Sequence, residues 1–175
     1  MKMKTLMYFL IIFTGFSLLF FSSCQDKQTE EELLKYRQKE EIEASNIEVI
    51  KRFFKLLDEL KLEECNNLVT PDNKWYTNSV QWVFKDAIPL LPTFYISFPD
   101  FKHNIENIFA VYDYVVAQIN YTGTQLKKYM EIAATGNKIE YKGIFIFKMV
   151  DGKILEGQIV EDHLTLYNQL GLELK

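Results

Sequence analysis

The sequence predicts an α+β fold in which helices come first and a cone-shaped, curved antiparallel sheet follows. Two observations carry this. Apolar residues recur at helical spacing between residues 47 and 60 and again after residue 80, whereas beyond Asp100 the period changes to two. Within that second half, Asp151-Gly152 separates two apolar-rich runs, the pair best suited to a two-residue hairpin turn with positive φ. Long strands twist and curl, so the N-terminal helices are expected to pack on the concave face of the sheet. The hollow between them suits a small molecule.

The N-terminus is set apart from that domain. Lys2 and Lys4 precede an almost wholly apolar stretch over residues 5–23, which ends in Phe21-Ser22-Ser23-Cys24. A basic start, an apolar run and small residues read as a secretory leader over residues 1–23. The last four residues resemble a bacterial lipobox, in which Cys24 is lipidated. An uncleaved anchor is the alternative, since the run is long enough to span a bilayer. Either reading places the rest of the chain outside the cytoplasm on the periplasmic or surface face of the envelope, as a membrane-anchored lipoprotein. Residues 24–44 are rich in Glu and Lys and form a charged spacer, leaving residues 45–175 as one domain.

Charge and thiols exclude several function classes. The formal net charge is −4, more negative still once Lys2 and Lys4 leave with the leader, and no basic stripe offers nucleic acid a partner. With Cys24 committed to lipid, Cys65 is the remaining thiol, so neither an intramolecular disulfide nor a Cys-based metal site forms. His103 and His163 stand sixty residues apart without a carboxylate at ligand spacing, which argues against a metal.

The domain's elements follow in order. Ser45-Asn46-Ile47-Glu48 fits a capping box that opens a helix whose apolar stripe is Ile47, Ile50, Phe53, Phe54, Leu57 and Leu60. A short helical piece covers residues 62–69 and is broken by Thr70-Pro71-Asp72-Asn73. Residues 80–95 read as helical again, ended or kinked by Pro89 and Pro92. Strands are expected over residues 101–109, 114–124, 139–149 and 153–161, with a loop over 126–138 and a final short helix after Asp162.

Short motifs then recur in order: Phe98-Pro99-Asp100-Phe101, Tyr121-Thr122-Gly123-Thr124, Thr135-Gly136-Asn137-Lys138, Asp151-Gly152-Lys153-Ile154-Leu155-Glu156, Asp162-His163-Leu164 and Gln169-Leu170-Gly171. Over residues 47–172 the chain resembles the SnoaL-like polyketide cyclase (ester cyclase) family of the nuclear transport factor 2-like superfamily. The resemblance implies a cone-shaped α+β barrel and ring closure by intramolecular aldol condensation, with no metal or organic cofactor. An Asp removes a proton next to an ester or ketone carbonyl, and polar side chains hold the enolate. Asp162 matches that position. Where the family usually carries His after the Gly-Thr pair, this chain has Gln125, and the usual Trp before the Asp is replaced by Gln158.

The residues themselves support a site at the same place. A carboxylate at a strand end beside a helix start can point into the hollow, and in an apolar hollow it becomes a stronger base. Asp162 is therefore the candidate catalytic base; N-capping of the last helix is its alternative role. Gln158 shares its strand parity. Gln125 or Tyr129 would steady an oxyanion. Trp75 and Tyr76 would line the pocket, since such rings pair apolar area with one polar handle. His103 either faces the cone mouth or sits at a sheet edge. Expected partners are a small apolar or carbonyl-containing ligand, the membrane through the N-terminal lipid, and a second copy of the chain across the outer sheet face. A ligand-binding or assembly lipoprotein without turnover is the alternative function.

Overall fold

The computed structural model describes residues 2–77 and 79–172, with side chains from residue 27 on. Two compact units are present, Met1–Glu41 and Ile42–Lys175. The first is part of helix α1 (Lys2–Asp58) and leaves Leu33, Leu34 and Tyr36 exposed. Among the described residues no helix is long and apolar enough to cross a membrane; the side chains of residues 5–23 and of the lipidation candidate Cys24 lie outside the description. Because α1 already runs through Ser45, the expected capping box does not form, and Glu48 pairs with Lys51 instead (2.7 Å).

The second unit continues with α2 (Leu62–Asn66), β1 (Val69–Thr77), β2 (Val80–Trp82), α3 (Phe84–Ala87), α4 (Leu91–Ser97), β3 (Lys102–Val111), β4 (Tyr114–Thr124), β5 (Lys138–Val150), β6 (Lys153–Glu161) and α5 (His163–Gln169). The six strands form one curved, open sheet in the order β2-β1-β6-β5-β4-β3. β3 to β6 are the expected antiparallel meander. Asp151 and Gly152 both take positive φ (48° and 71°), as the hairpin between β5 and β6 demands.

Two segments differ from the sequence expectation. Residues 70–73 do not break the chain but lie inside β1, which pairs parallel to β6. Pro71 is tolerated because the β1–β6 register is irregular between Val69 and Lys74, where no ladder donor is required. Buried Asn73 bridges this stretch: its amide donates to the Thr70 carbonyl (2.6 Å) and its side-chain oxygen accepts from the Phe84 N–H (2.9 Å). Residues 80–95 are not one helix but β2, α3 and α4. Pro92 starts α4 rather than ending a helix, since a first-turn N–H has no helical partner to lose.

The core lies between α1 and the concave face. Ile50, Phe53, Phe54 and Leu57 of α1 and Val115, Ala117, Ile119 and Tyr121 of β4 belong to one buried cluster with Tyr141, Phe145 and Phe147 of β5. The rings of Phe53 and Phe54 meet Phe147 edge-on at 6.2 and 5.9 Å. Burying each such ring contributes about 1.5–3 kcal/mol. Cys65 is buried, as expected of a small core residue, and burial pushes its thiol up to about 12.

Candidate functional site

Between the concave face, α1 and the α3–α4 segment lies a cavity of about 330 Å³, within the size range of small-molecule sites. Its wall is predominantly aromatic. Phe53, Trp75 and Trp82 form one stacked group, with Trp75 at 5.5 Å from Phe53 and 5.3 Å from Trp82, and Phe84 leans against it at a tilt. Phe94, Phe101 and Tyr129 form a second, with Phe94 edge-on to both of the others at 4.7 and 5.3 Å. Tyr121 and Tyr141, register partners on β4 and β5, stack at 4.5 Å and continue the wall.

Three buried donors on this wall find no acceptor among the described residues: the Trp75 indole N–H and the Tyr95 and Tyr121 hydroxyls, Tyr95 lying near Asp58 without reaching hydrogen-bond geometry. A buried polar group without a partner is costly, on the order of 1–3 kcal/mol, so such groups are scarce in cores. Burial holds both tyrosine hydroxyls firmly in the protonated, donating form.

The carboxylate of the cavity is Glu161, not Asp162. β6 carries a bulge: Lys148 pairs with Glu156 but Met149 with Ile154, which leaves Leu155 without a counterpart. Ile154 points inward, and without the bulge every even residue beyond it, Asp162 included, would do the same. The extra residue reverses the alternation, so that Gly157, Ile159 and Glu161 face inward opposite Phe147, Phe145 and Gly143. Asp162 is therefore turned to solvent. It caps α5, accepting from the Thr165 N–H (3.0 Å) and hydroxyl (2.6 Å). Those bonds hold its carboxyl below the usual carboxylate range, which makes it a weak base as well as a misplaced one.

Glu161 receives the His163 ring Nε2 at 3.1 Å, and both residues line the cavity. Burial pushes the Glu161 carboxyl up, but the His163 bond, the neighbouring Tyr121 hydroxyl and the nearby imidazole charges outweigh it, and the net shift is downward. The Tyr121 hydroxyl acts on this charge from close range without reaching hydrogen-bond geometry. His163 is in turn raised above its ordinary 6.5, chiefly by Glu161. Gly143 makes the arrangement possible: a Cβ there would stand 2.8 Å from the Tyr121 ring and 3.2 Å from Glu161 Cγ.

The other sequence candidates divide. Trp75, Tyr129 and His103 line the cavity. His103 sits on β3, the edge strand, yet faces inward, and its ring Nδ1 lies 2.7 Å from Asp58 Oδ1 at the end of α1. Tyr76 alternates to the opposite face of β1 from Trp75 and is absent from the cavity wall, and Gln158 is exposed on the outer face of β6 for the same parity reason as Asp162. Gln125 is fully buried but spent. Its amide donates to the carbonyls of Ile132 (3.3 Å) and Ala133 (3.1 Å), and its oxygen accepts from the Thr135 N–H and hydroxyl. It staples the 125–135 loop and has no donor left for a ligand. Sequence reasoning missed Asp58, left Tyr95 and Tyr121 among the aromatic residues of which a subset lines the pocket, and of the acidic pair Glu161-Asp162 chose the member that faces away. A lone Gly inside β6 was the available signal for a bulge and for the inward turn of Glu161. Among the described residues no group of three or more His, Cys, Asp or Glu could hold a metal ion.

The SnoaL-like polyketide cyclase family matches residues 47–170. A comparison with curated proteins found no match. Among solved structures, AclR from Streptomyces galilaeus, described as a hydroxylase, superposes with a TM-score of 0.68 at 23% identity, covering 73% of this chain and 96% of its own. A protein from Jannaschia sp. CCS1 described as a SnoaL-like polyketide cyclase gives 0.67 at 22%, covering 76% and 96%. One from Bacillus cereus ATCC 10987, described as a polyketide cyclase, gives 0.63 at 28%, covering 74% and 83%. The curved sheet with its N-terminal helix is the nuclear transport factor 2-like fold and the family match runs over most of the chain, so the chain belongs to the SnoaL-like polyketide cyclase family.

Proposed function

We propose that the domain binds a small, flat, largely apolar ligand carrying carbonyl or hydroxyl oxygens, on the outer side of a membrane to which a lipid on Cys24 tethers it. One observation carries the ligand class: the buried Trp75, Tyr95 and Tyr121 donors lack acceptors among the described residues while the surrounding wall is aromatic. Ligand oxygens would satisfy those donors, and ring stacking would supply the contact area. Glu161, kept ionised by His163, accepts a hydrogen bond from a ligand hydroxyl. The outer sheet face favours self-association as a second reading, since Phe109, Ile144, Ile146 and Val160 are exposed there.

Both tryptophans of the chain line the cavity, so intrinsic fluorescence reports on it. Titration of the full chain in detergent with 1-tetralone, a flat aromatic ketone, is expected to quench that fluorescence saturably. Tyr121→Phe removes one donor and weakens binding about tenfold, the equivalent of roughly 1.4 kcal/mol. Quenching that never saturates, or that is indifferent to Tyr121→Phe, refutes the reading.

A further inference from the structure

Glu161 is the obvious proton acceptor of this cavity by position, but its environment suits it poorly to that work. A carboxylate already bonded to an imidazole holds its charge in place and is a weak base. A second carboxylate–imidazole pair lies on the same wall, and it is built the other way round, with the imidazole toward the cavity and the carboxylate behind it.

Asp58 is the last residue of α1. A negative charge at a helix C-terminus meets the negative end of the dipole, so the helix itself gains nothing from it. Its two oxygens instead converge on His103. Both accept from the His103 backbone N–H at 3.3 Å, and Oδ1 lies 2.7 Å from the ring Nδ1. The two side chains are only 13% and 10% exposed. Lys102, on the solvent side, comes no nearer to Asp58 than 4.0 Å. Three aromatic rings cage the imidazole, Phe54 at 5.3 Å, Phe101 at 5.1 Å and Tyr121 at 5.2 Å, and fix its plane. A neutral ring held this way donates Nδ1–H to the carboxylate and keeps its lone pair on Nε2. That nitrogen has no hydrogen-bond partner among the described residues, and His103 lines the cavity. Register places His103 directly across from Tyr121, and Tyr121 across from Tyr141, so the imidazole ends a row of rings on which a flat ligand would lie.

We propose that His103, oriented by Asp58, is the proton-accepting residue of this cavity, with Nε2 taking a proton from a carbon or oxygen acid on the bound ligand. The proposal rests on the ligand-binding reading above and adds proton transfer to it. His103 is the catalytic residue and Asp58 a positioning residue, whose carboxylate fixes the tautomer and stabilises the imidazolium that forms.

The probe is 5-nitro-1,2-benzisoxazole, a flat aromatic carbon acid. Nε2 takes the C3 proton, the C–H electron pair completes the nitrile, and the N–O bond breaks with its pair leaving on the phenolate oxygen. Loss of the proton to water regenerates the imidazole, so no further reactant is needed. With the full chain in detergent, His103→Gln is expected to lower kcat about 100-fold, within the range for removing a general base, while the probe's quenching of tryptophan changes less than twofold. Asp58→Asn lowers kcat about tenfold and shifts the neutral ring toward the Nε2–H tautomer in ¹⁵N NMR. Glu161→Gln removes a ligand contact and no proton acceptor, so it lowers kcat by less than His103→Gln does, whereas Asp162→Ala, outside the cavity, leaves kcat within threefold. The wild-type tautomer is an independent check needing no variant: a neutral His103 ring protonated on Nε2 overturns the proposal, as does an unchanged kcat in His103→Gln or an equal loss in Glu161→Gln. Quenching by the probe without turnover overturns this proposal alone, whereas saturable quenching by neither the probe nor 1-tetralone overturns the ligand-binding reading with it.

Discussion

Gly157→Ala tests the placement of the inward face of β6 and the seat of Trp75 together. The Trp75 indole lies flat against Gly157, and an added Cβ would overlap Cε3 and stand 2.5 and 2.8 Å from Cζ3 and Cδ2. Ordinary contact needs about 3.4–4 Å, so the ring must retreat by roughly 1 Å. It cannot do so freely, because Trp75 is stacked on Phe53 at 5.5 Å and on Trp82 at 5.3 Å and meets Phe147 edge-on at 5.9 Å. Overpacking a tight core costs about 1–3 kcal/mol. For a chain of this size each kcal/mol lowers Tm by roughly 2–4 °C, so the expected fall is roughly 2–12 °C. Trp75 also lines the cavity, so its displacement changes tryptophan emission and weakens quenching by 1-tetralone. Thermal denaturation followed by circular dichroism gives the first number and fluorescence titration the second. An alanine variant with the wild-type Tm and emission maximum would show that Gly157 does not face Trp75, and the inward assignment of Glu161 would fall with it.

The adjacent acidic residues should separate cleanly. Asp162→Ala removes the α5 cap, lowers Tm and leaves 1-tetralone binding unchanged; Glu161→Gln changes the pH response instead. Glu161 is depressed on folding, so its contribution is present above its ordinary 4.5 and lost as pH falls through the folded value. His163 is raised, so its contribution is present below 6.5 and lost as pH rises through the folded value. The pair therefore stabilises most between about pH 4.5 and 6.5, and Glu161→Gln should flatten the Tm profile across that window; a variant profile parallel to wild type contradicts the pairing. Gln125→Ala strands buried loop groups and should cost about 2 kcal/mol by urea denaturation, with faster proteolytic nicking near residue 130. Unaltered stability would mean that the staple is not formed.

Where local chemistry decided the structure, the sequence was readable. β4 begins and ends where its alternation does, and the hairpin between β5 and β6 sits on Asp151-Gly152 because few other pairs accept positive φ at both positions. β1 was hidden because its residues 70–73 carry turn chemistry and form the irregular stretch between Val69 and Lys74, the two points at which the strand takes up its pairing with β6, some eighty residues later. Within residues 80–95 the helical periodicity holds for α3 and the start of α4, whereas residues 80–82 form β2, where Trp82 owes its position to its pairing with Trp75. The Asp58–His103 pair spans forty-five residues and joins a helix end to a strand start, which no local pattern encodes.

The bulge in β6 determines which chemistry the site can perform. Without it Asp162 would face the cavity as an unpaired carboxylate, the form in which burial raises basicity. With it, the inward acid is Glu161, and the residue that begins α5, His163, comes within 3.1 Å and neutralises it. An ion pair of that kind is a hydrogen-bonding anchor that holds a ligand's orientation rather than a base that attacks it. Removing Glu161 should therefore alter which ligands are retained more than how fast any of them is turned over. The proton-accepting role passes to the one imidazole on the wall whose carboxylate partner stands behind it, leaving the other ring nitrogen to the ligand.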